Sequence, residues 1–181
     1  MVNILVEVYT FNYVEEEVLK AVLSHVSRAL SADVRYAGLL SLPDEVLDES
    51  RGQYLADSVV RLVAYRRSAG SIGLLLADAD GYVPGLNFVF GLAIPELRAA
   101  SVFLRRLRLW TDRANYVGRV VKEVLHELGH VLGLEHCRNS LCVMSFSNSI
   151  LDVDRKLPKF CSRCAQRLTR AGIAVPGEFI I

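Results

Sequence analysis

Residues 117–136 read Val117-Gly118-Arg119-Val120-Val121-Lys122-Glu123-Val124-Leu125-His126-Glu127-Leu128-Gly129-His130-Val131-Leu132-Gly133-Leu134-Glu135-His136. At about 100° per residue, Val117, Val121, Val124, Leu128 and Val131 share one stripe of a helix, and His126 and His130 fall on the opposite side. The two histidines therefore point away from the core that the stripe covers. Four residues apart, they sit one turn from each other and can reach one cation at a zinc–nitrogen distance of about 2.0–2.1 Å. Glu127 lies on an adjoining edge of that face. Gly133 can adopt the positive φ that stops a helix and turns the chain, so His136 can return as a third ligand. An amphipathic helix with two exposed histidines would explain the first pair alone. The added glycine and third histidine favour a metal, because three of the chain's four histidines fall within residues 126–136.

Three protein ligands leave one tetrahedral position open, which is the pattern of hydrolytic rather than structural zinc. Zinc in such a site lowers the pKa of a water toward about 7 and polarises a carbonyl. Glu127 is then the expected general base, taking the proton and passing it to the leaving amine. Amide hydrolysis is the chemistry this set suits, and sequence does not separate a peptide from a non-peptide amide.

A second cluster follows. Cys137 and Cys142 are separated by four residues, and Cys161 and Cys164 by two. Two such knuckles suit a closed tetrahedral thiolate site, a structural zinc, so two zinc ions per chain are expected. Two disulfides are the alternative, but the crowding of all four cysteines between positions 137 and 164 favours a shared metal. Arg155, Lys156, Lys159, Arg163, Arg167 and Arg170 are read as compensating the negative thiolate cluster. His25, in an earlier helix, has no partner in sequence and is read as an ordinary surface or core histidine.

With 181 residues the chain suits one domain, expected as an α/β part over 1–134 and a zinc-stabilised part over 135–181. A net charge of +1 gives no field for steering to nucleic acid or an anionic membrane. No apolar run approaches the roughly 20 residues that span a bilayer, and the N-terminus lacks the leading basic cluster of a signal peptide. A cytoplasmic monomer is expected. Strands are predicted at 3–10, 33–39, 72–77, 86–94 and 102–107, and helices at 14–30, 51–67, 113–134 and 161–171, with Gly70 closing the second helix and a loop over 41–50. That alternation is an α/β fold with a mixed sheet packed on long helices.

The run from His126 through Gly133 and His136 to Cys137 resembles the extended zinc motif of the metzincin metallopeptidases, and with the cysteine pattern after it, the archaemetzincin family specifically. The resemblance covers most of the chain in outline, with its motifs at 126–164, 51–58 and 82–91. It implies a metzincin-like catalytic domain, with His126, His130 and His136 as ligands and Glu127 as base. It also implies a turn beneath the zinc at Met144, which would otherwise read as a core filler. A peptide substrate would lie extended along a sheet-edge strand at 85–93, giving Gly85, Asn87, Val89 and Gly91 as substrate-binding residues. Phe146 stands where some metzincins carry a further tyrosine ligand, and no cysteine-switch segment precedes the helix. The activities open are an aminopeptidase or a processor of short peptides. A non-catalytic zinc module binding protein or nucleic acid is the alternative, and it would have no need of Glu127.

Overall fold

Val6 and Val8 point to one side of the first strand, β1 (Leu5–Phe11), and Glu7 and Tyr9 to the other, as the period of two requires. The computed structural model describes residues 4–181. After β1 come α1 (Glu16–Leu30), β2 (Asp33–Leu39), β3 (Leu47–Asp48), β4 (Gln53–Leu55), α2 (Ala56–Arg66), β5 (Ile72–Ala77), β6 (Gly81–Tyr82), β7 (Gly91–Ile94) and β8 (Ala99–Phe103). Three further helices, α3 (Arg113–Val131), α4 (Ile150–Arg155) and α5 (Ser162–Arg170), complete the chain.

The main sheet runs β2-β1-β5-β8-β7, four parallel strands with an antiparallel β7 at one edge. A short second sheet joins β3, β4 and β6. On one face, Ile72, Leu74 and Leu76 of β5 pack with α1 and α3; on the other, Leu75 and Ala77 pack with Val59, Val60 and Val63 of α2. Coverage on both faces explains the unbroken apolar run of β5. The first cluster continues into Val143, Met144, Val153, Phe160, Leu168 and Phe179. The segment after α3 therefore packs on the helix face opposite the sheet, and His126, expected only to avoid the sheet-side core, is buried beneath it.

Several element limits differ from expectation. The first strand ends at Phe11, and its expected start at Asn3 lies outside the described residues. Helix α1 starts at Glu16, and α5 occupies only Ser162–Arg170. The helix expected from 51 begins at Ala56, because Gln53–Leu55 pair with β3 and β6. It ends at Arg66, where Arg67 N–H bonds Val63 O, and Gly70 serves a later turn at φ +82°. The expected loop at 41–50 includes β3. The strand expected over 86–94 is confined to β7, since only there does β8 lie opposite. The last strand starts at Ala99, three residues before the expected 102, and stops at Phe103, beyond which Leu104 and Arg105 bond Ala77 O and Ala79 O. Helix α3 stops at Val131, and Gly133 takes the expected positive φ of +89°. Helix α4 was not expected, although Ser149 and Asp152 form a capping box that the sequence carries. No helix among the described residues is long and apolar enough to cross a membrane.

Glu7, 2% exposed, is the polar knot on the α2 face. Arg35 pairs with it, Ser68 N–H (2.7 Å) and the Ser68 and Ser71 hydroxyls (2.9 Å each) donate to it. Burial opposes its ionisation, but these donors outweigh burial and hold the carboxyl at about 2, below its ordinary 4.5. A depressed folded pKa adds stability that is complete above the unfolded value and is lost as pH falls through the folded one. Glu7→Gln is expected to lower stability by roughly 1–3 kcal/mol at neutral pH. The gap between the two proteins in denaturant melts should be full above pH 4.5 and close toward pH 2; a gap independent of pH would contradict this assignment.

Candidate metal centre and cleft

The end of α3 and the turn after it bring three imidazoles together. His126 Nδ1 lies 2.8 Å from Val143 O, and His130 Nδ1 lies 2.8 Å from Leu134 O. A carbonyl only accepts, so both rings carry their proton on Nδ1. Burial lowers the pKa of His126, His130 and His136, His126 most, keeping the rings neutral. The Nε2 atoms of His126 and His130 are thus bare, and they stand 3.1 Å apart. Two nitrogens on a tetrahedral zinc would stand about 3.4 Å apart. One ligand atom from each of the three histidines lies within 4.8 Å of the others. The residues fit a zinc ion.

Met144 packs against α3 between the two helical histidines, at Gly129. A Cβ on Gly129 would meet its sulfur at 2.3 Å, so the glycine inside the histidine motif is what lets this side chain pack against α3. Cys137 N–H bonds Met144 O at 2.8 Å, tying the turn to the residue after His136. The ring of Phe146 stands beside that of His136, centroids 4.9 Å apart.

The four cysteines also converge, with their sulfurs within 4.8 Å of one another and all unpaired. Cys137 and Cys161 sulfurs are 3.7 Å apart, far beyond a disulfide and close to the roughly 3.8 Å between thiolates on a tetrahedral zinc. Burial pushes the Cys142 thiol up to about 11 and Cys164 up further, so a cation is what would draw their protons off. Of the basic residues read as compensating this cluster, Arg163 and Arg167 line the hollow beside Cys137 and Cys164. Lys156 does not belong with them: it is wholly buried and pairs with Glu123 on α3 at 2.7 Å. Arg155 faces Asp152 at 3.8 Å. Among the described residues, His25 bonds Ala21 O in its own helix at 3.0 Å.

A cleft of about 570 Å³ opens over the histidines, between α3 and β7. Glu127 is at its floor, its carboxyl pushed well above the usual range by burial first and by the Glu123 carboxylate second. Of the four expected substrate residues, Gly91 is on β7, Asn87 and Val89 line the cleft from the loop before it, and Gly85 is outside the lining. That loop is held by polar side chains that the reading of the sequence missed. Arg51 donates to Leu86 O (3.1 Å) and Asn87 O (3.0 Å), and Gln53 donates to Asn87 O (3.0 Å) and Asp80 (3.0 Å). Arg106 grips Asp80 and lies 4.3 Å over the ring of Phe88. With the carbonyl of Asn87 taken, only β7 remains for pairing. Phe103 N–H bonds Phe90 O, so Gly91 faces Val102 as a pair without hydrogen bonds, and Gly91 and Ala93 turn their main-chain groups outward.

The profile of peptidase family M54 matches residues 1–170. The archaemetzincin of Pyrobaculum aerophilum is 50% identical over 124 residues, 68% of this chain and 76% of that protein. The crystal structure of archaemetzincin from Methanopyrus kandleri superposes with a TM-score of 0.86 at 39% identity, covering 93% of this chain and 95% of that one. A zinc-dependent peptidase from Methanocorpusculum labreanum superposes with a TM-score of 0.81 at 27% identity, covering 90% and 99%. Fold, residues and relatives together define a zinc metallopeptidase. More narrowly, the chain belongs to peptidase family M54, the archaemetzincins.

Gly91 has a steric duty toward Glu127: a Cβ there would meet its Oε1 and Cγ at 2.6 Å. Gly91→Ala is expected to displace the carboxylate and lower kcat/KM by about 10²-fold while zinc content stays at the wild-type level. Peptide cleavage beside metal analysis checks this, and unchanged kcat/KM would show that the carboxylate is not held there.

Proposed function

We propose that the chain hydrolyses peptide bonds with Glu127 as general base, His126, His130 and His136 holding one hydrolytic zinc, and the four cysteines holding a second, structural zinc. The observation that carries this is the pair of bare imidazole nitrogens 3.1 Å apart at the floor of a cleft that Glu127 also lines. Zinc, when bound, supplies a Lewis acid that lowers the pKa of water and polarises the scissile carbonyl.

The chain's own groups do the rest. An extended peptide pairs with the outward main-chain groups of Gly91 and Ala93, which fixes its direction with little demand on side chains. Glu127, in the cleft lining beside the histidines, takes a proton from the attacking water. It then delivers that proton to the amide nitrogen as the C–N bond breaks, leaving a carboxylate and an amine. Val143 O and Leu134 O hold the imidazoles in the one tautomer that frees Nε2. Four cysteines with no disulfide among them suit a reducing compartment, in keeping with a cytoplasmic location.

Glu127→Gln should retain zinc and lose cleavage by about 10²–10⁴-fold; cleavage at the wild-type rate would refute the base assignment. Cys161→Ser with Cys164→Ser should lower zinc from two equivalents per chain and, through the adjacent Cys137 and His136, lower activity as well. Unchanged metal content in that variant would remove the structural zinc from the reading.

A further inference from the structure

Glu123 sits on α3 one turn before Glu127 and lines the same cleft. It is 3% exposed. The Lys156 ammonium, itself wholly buried, approaches its Oε1 to 2.7 Å and donates to Ser145 O at 3.3 Å, bracing the carboxylate against the turn after Met144. Beyond this ammonium, Oε1 has no hydrogen-bond donor among the described residues. A carboxylate has room for about four donors. Such a buried pair contributes little stability compared with apolar residues of the same volume, and its place in the cleft lining sets the carboxylate beside whatever the cleft binds.

The surroundings say what kind of ligand. Phe88, Phe90, Leu92 and Pro95 give the cleft apolar walls, and Glu123 is the one carboxylate in its lining besides Glu127. Four residues of helix place it about 6 Å along the axis from Glu127. The side chains of glutamine, lysine and tyrosine span that distance, and those of serine and threonine stop short. An apolar side chain of equal length would shut water away from the carboxylate and leave it with Lys156 alone, whereas a donor-bearing one would add a hydrogen bond, and such a difference gives polar sites their selectivity.

We propose that Glu123 is the specificity-determining residue of the cleft, and that it selects peptides whose residue beside the scissile bond ends in an N–H or O–H donor. The proposal rests on the peptidase reading for where the peptide lies, and equilibrium binding separates the two. The probes are capped pentapeptides Ala-Ala-X-Ala-Ala with X in matched pairs: glutamine and methionine, tyrosine and phenylalanine, lysine and norleucine. Zinc-loaded Glu127→Gln protein, followed by calorimetry, is expected to bind the donor-bearing member of each pair at least about tenfold more tightly. Adding Glu123→Leu and Lys156→Met together, with zinc content and melting temperature checked, should erase or reverse that contrast. Equal binding within the pairs, no saturable binding of any peptide, or a contrast that survives the double change would overturn the proposal. The wild-type protein with the same peptides reports on hydrolysis alone: a contrast in binding without any bond cut would sink the proposed chemistry and leave the selectivity standing.

Discussion

Two unprotonated ring nitrogens held 3.1 Å apart repel each other unless a cation lies between them, and the end of α3 is built to hold them so. Each ring is fixed from behind by a main-chain carbonyl, one from Val143 in the following segment and one from Leu134 just past the helix end. Gly133 turns the chain so that Leu134 and His136 come back over the helix. Met144 fills the space that Gly129 leaves. A metal ion taken up by these rings would therefore meet a site whose geometry is already made, with little chain entropy left to lose.

The other wall of the cleft depends on a different economy of bonds. Residues 83–90 have no strand partner for most of their length, yet they line the cleft. Arg51, Gln53, Asp80 and Arg106 supply from side chains the fixed geometry that a ladder would have given. Gln53 is on β4, Arg51 lies just before it, Asp80 just before β6 and Arg106 three residues beyond β8, so the small sheet of β3, β4 and β6 helps anchor the cleft loop.

Much of this was legible in the sequence. The histidine spacing, Gly133 and the cysteine knuckles are local patterns, and the structure gathers the three histidines in one group and the four cysteines in another. The alternation of β1 and the double-sided burial of β5 were equally readable, because periodicity reports burial directly. Pairing partners were not. The alternating apolar pattern over 86–94 suggested one long strand, but what limits β7 is where β8 lies and which carbonyls Arg51 and Gln53 consume, neither of which is local. Lys156 was misread for a related reason: its basic neighbours in sequence are surface residues, while its own partner, Glu123, is thirty-three positions away on α3.

The two edges of the main sheet differ in what they offer to a further strand. An open sheet edge is an invitation to self-association, and proteins blunt such edges with short strands, proline, charge or bulges. At the far edge, β2 carries Asp33, Arg35 and an irregular register where Gly38 faces Tyr9. At the near edge, Pro95 ends β7 after four residues, inside a recess walled by α3. A single unfolded strand can thread into that recess, and the rim of another folded sheet cannot, so the protein keeps one sticky edge without the fibre-forming hazard that an exposed one would bring.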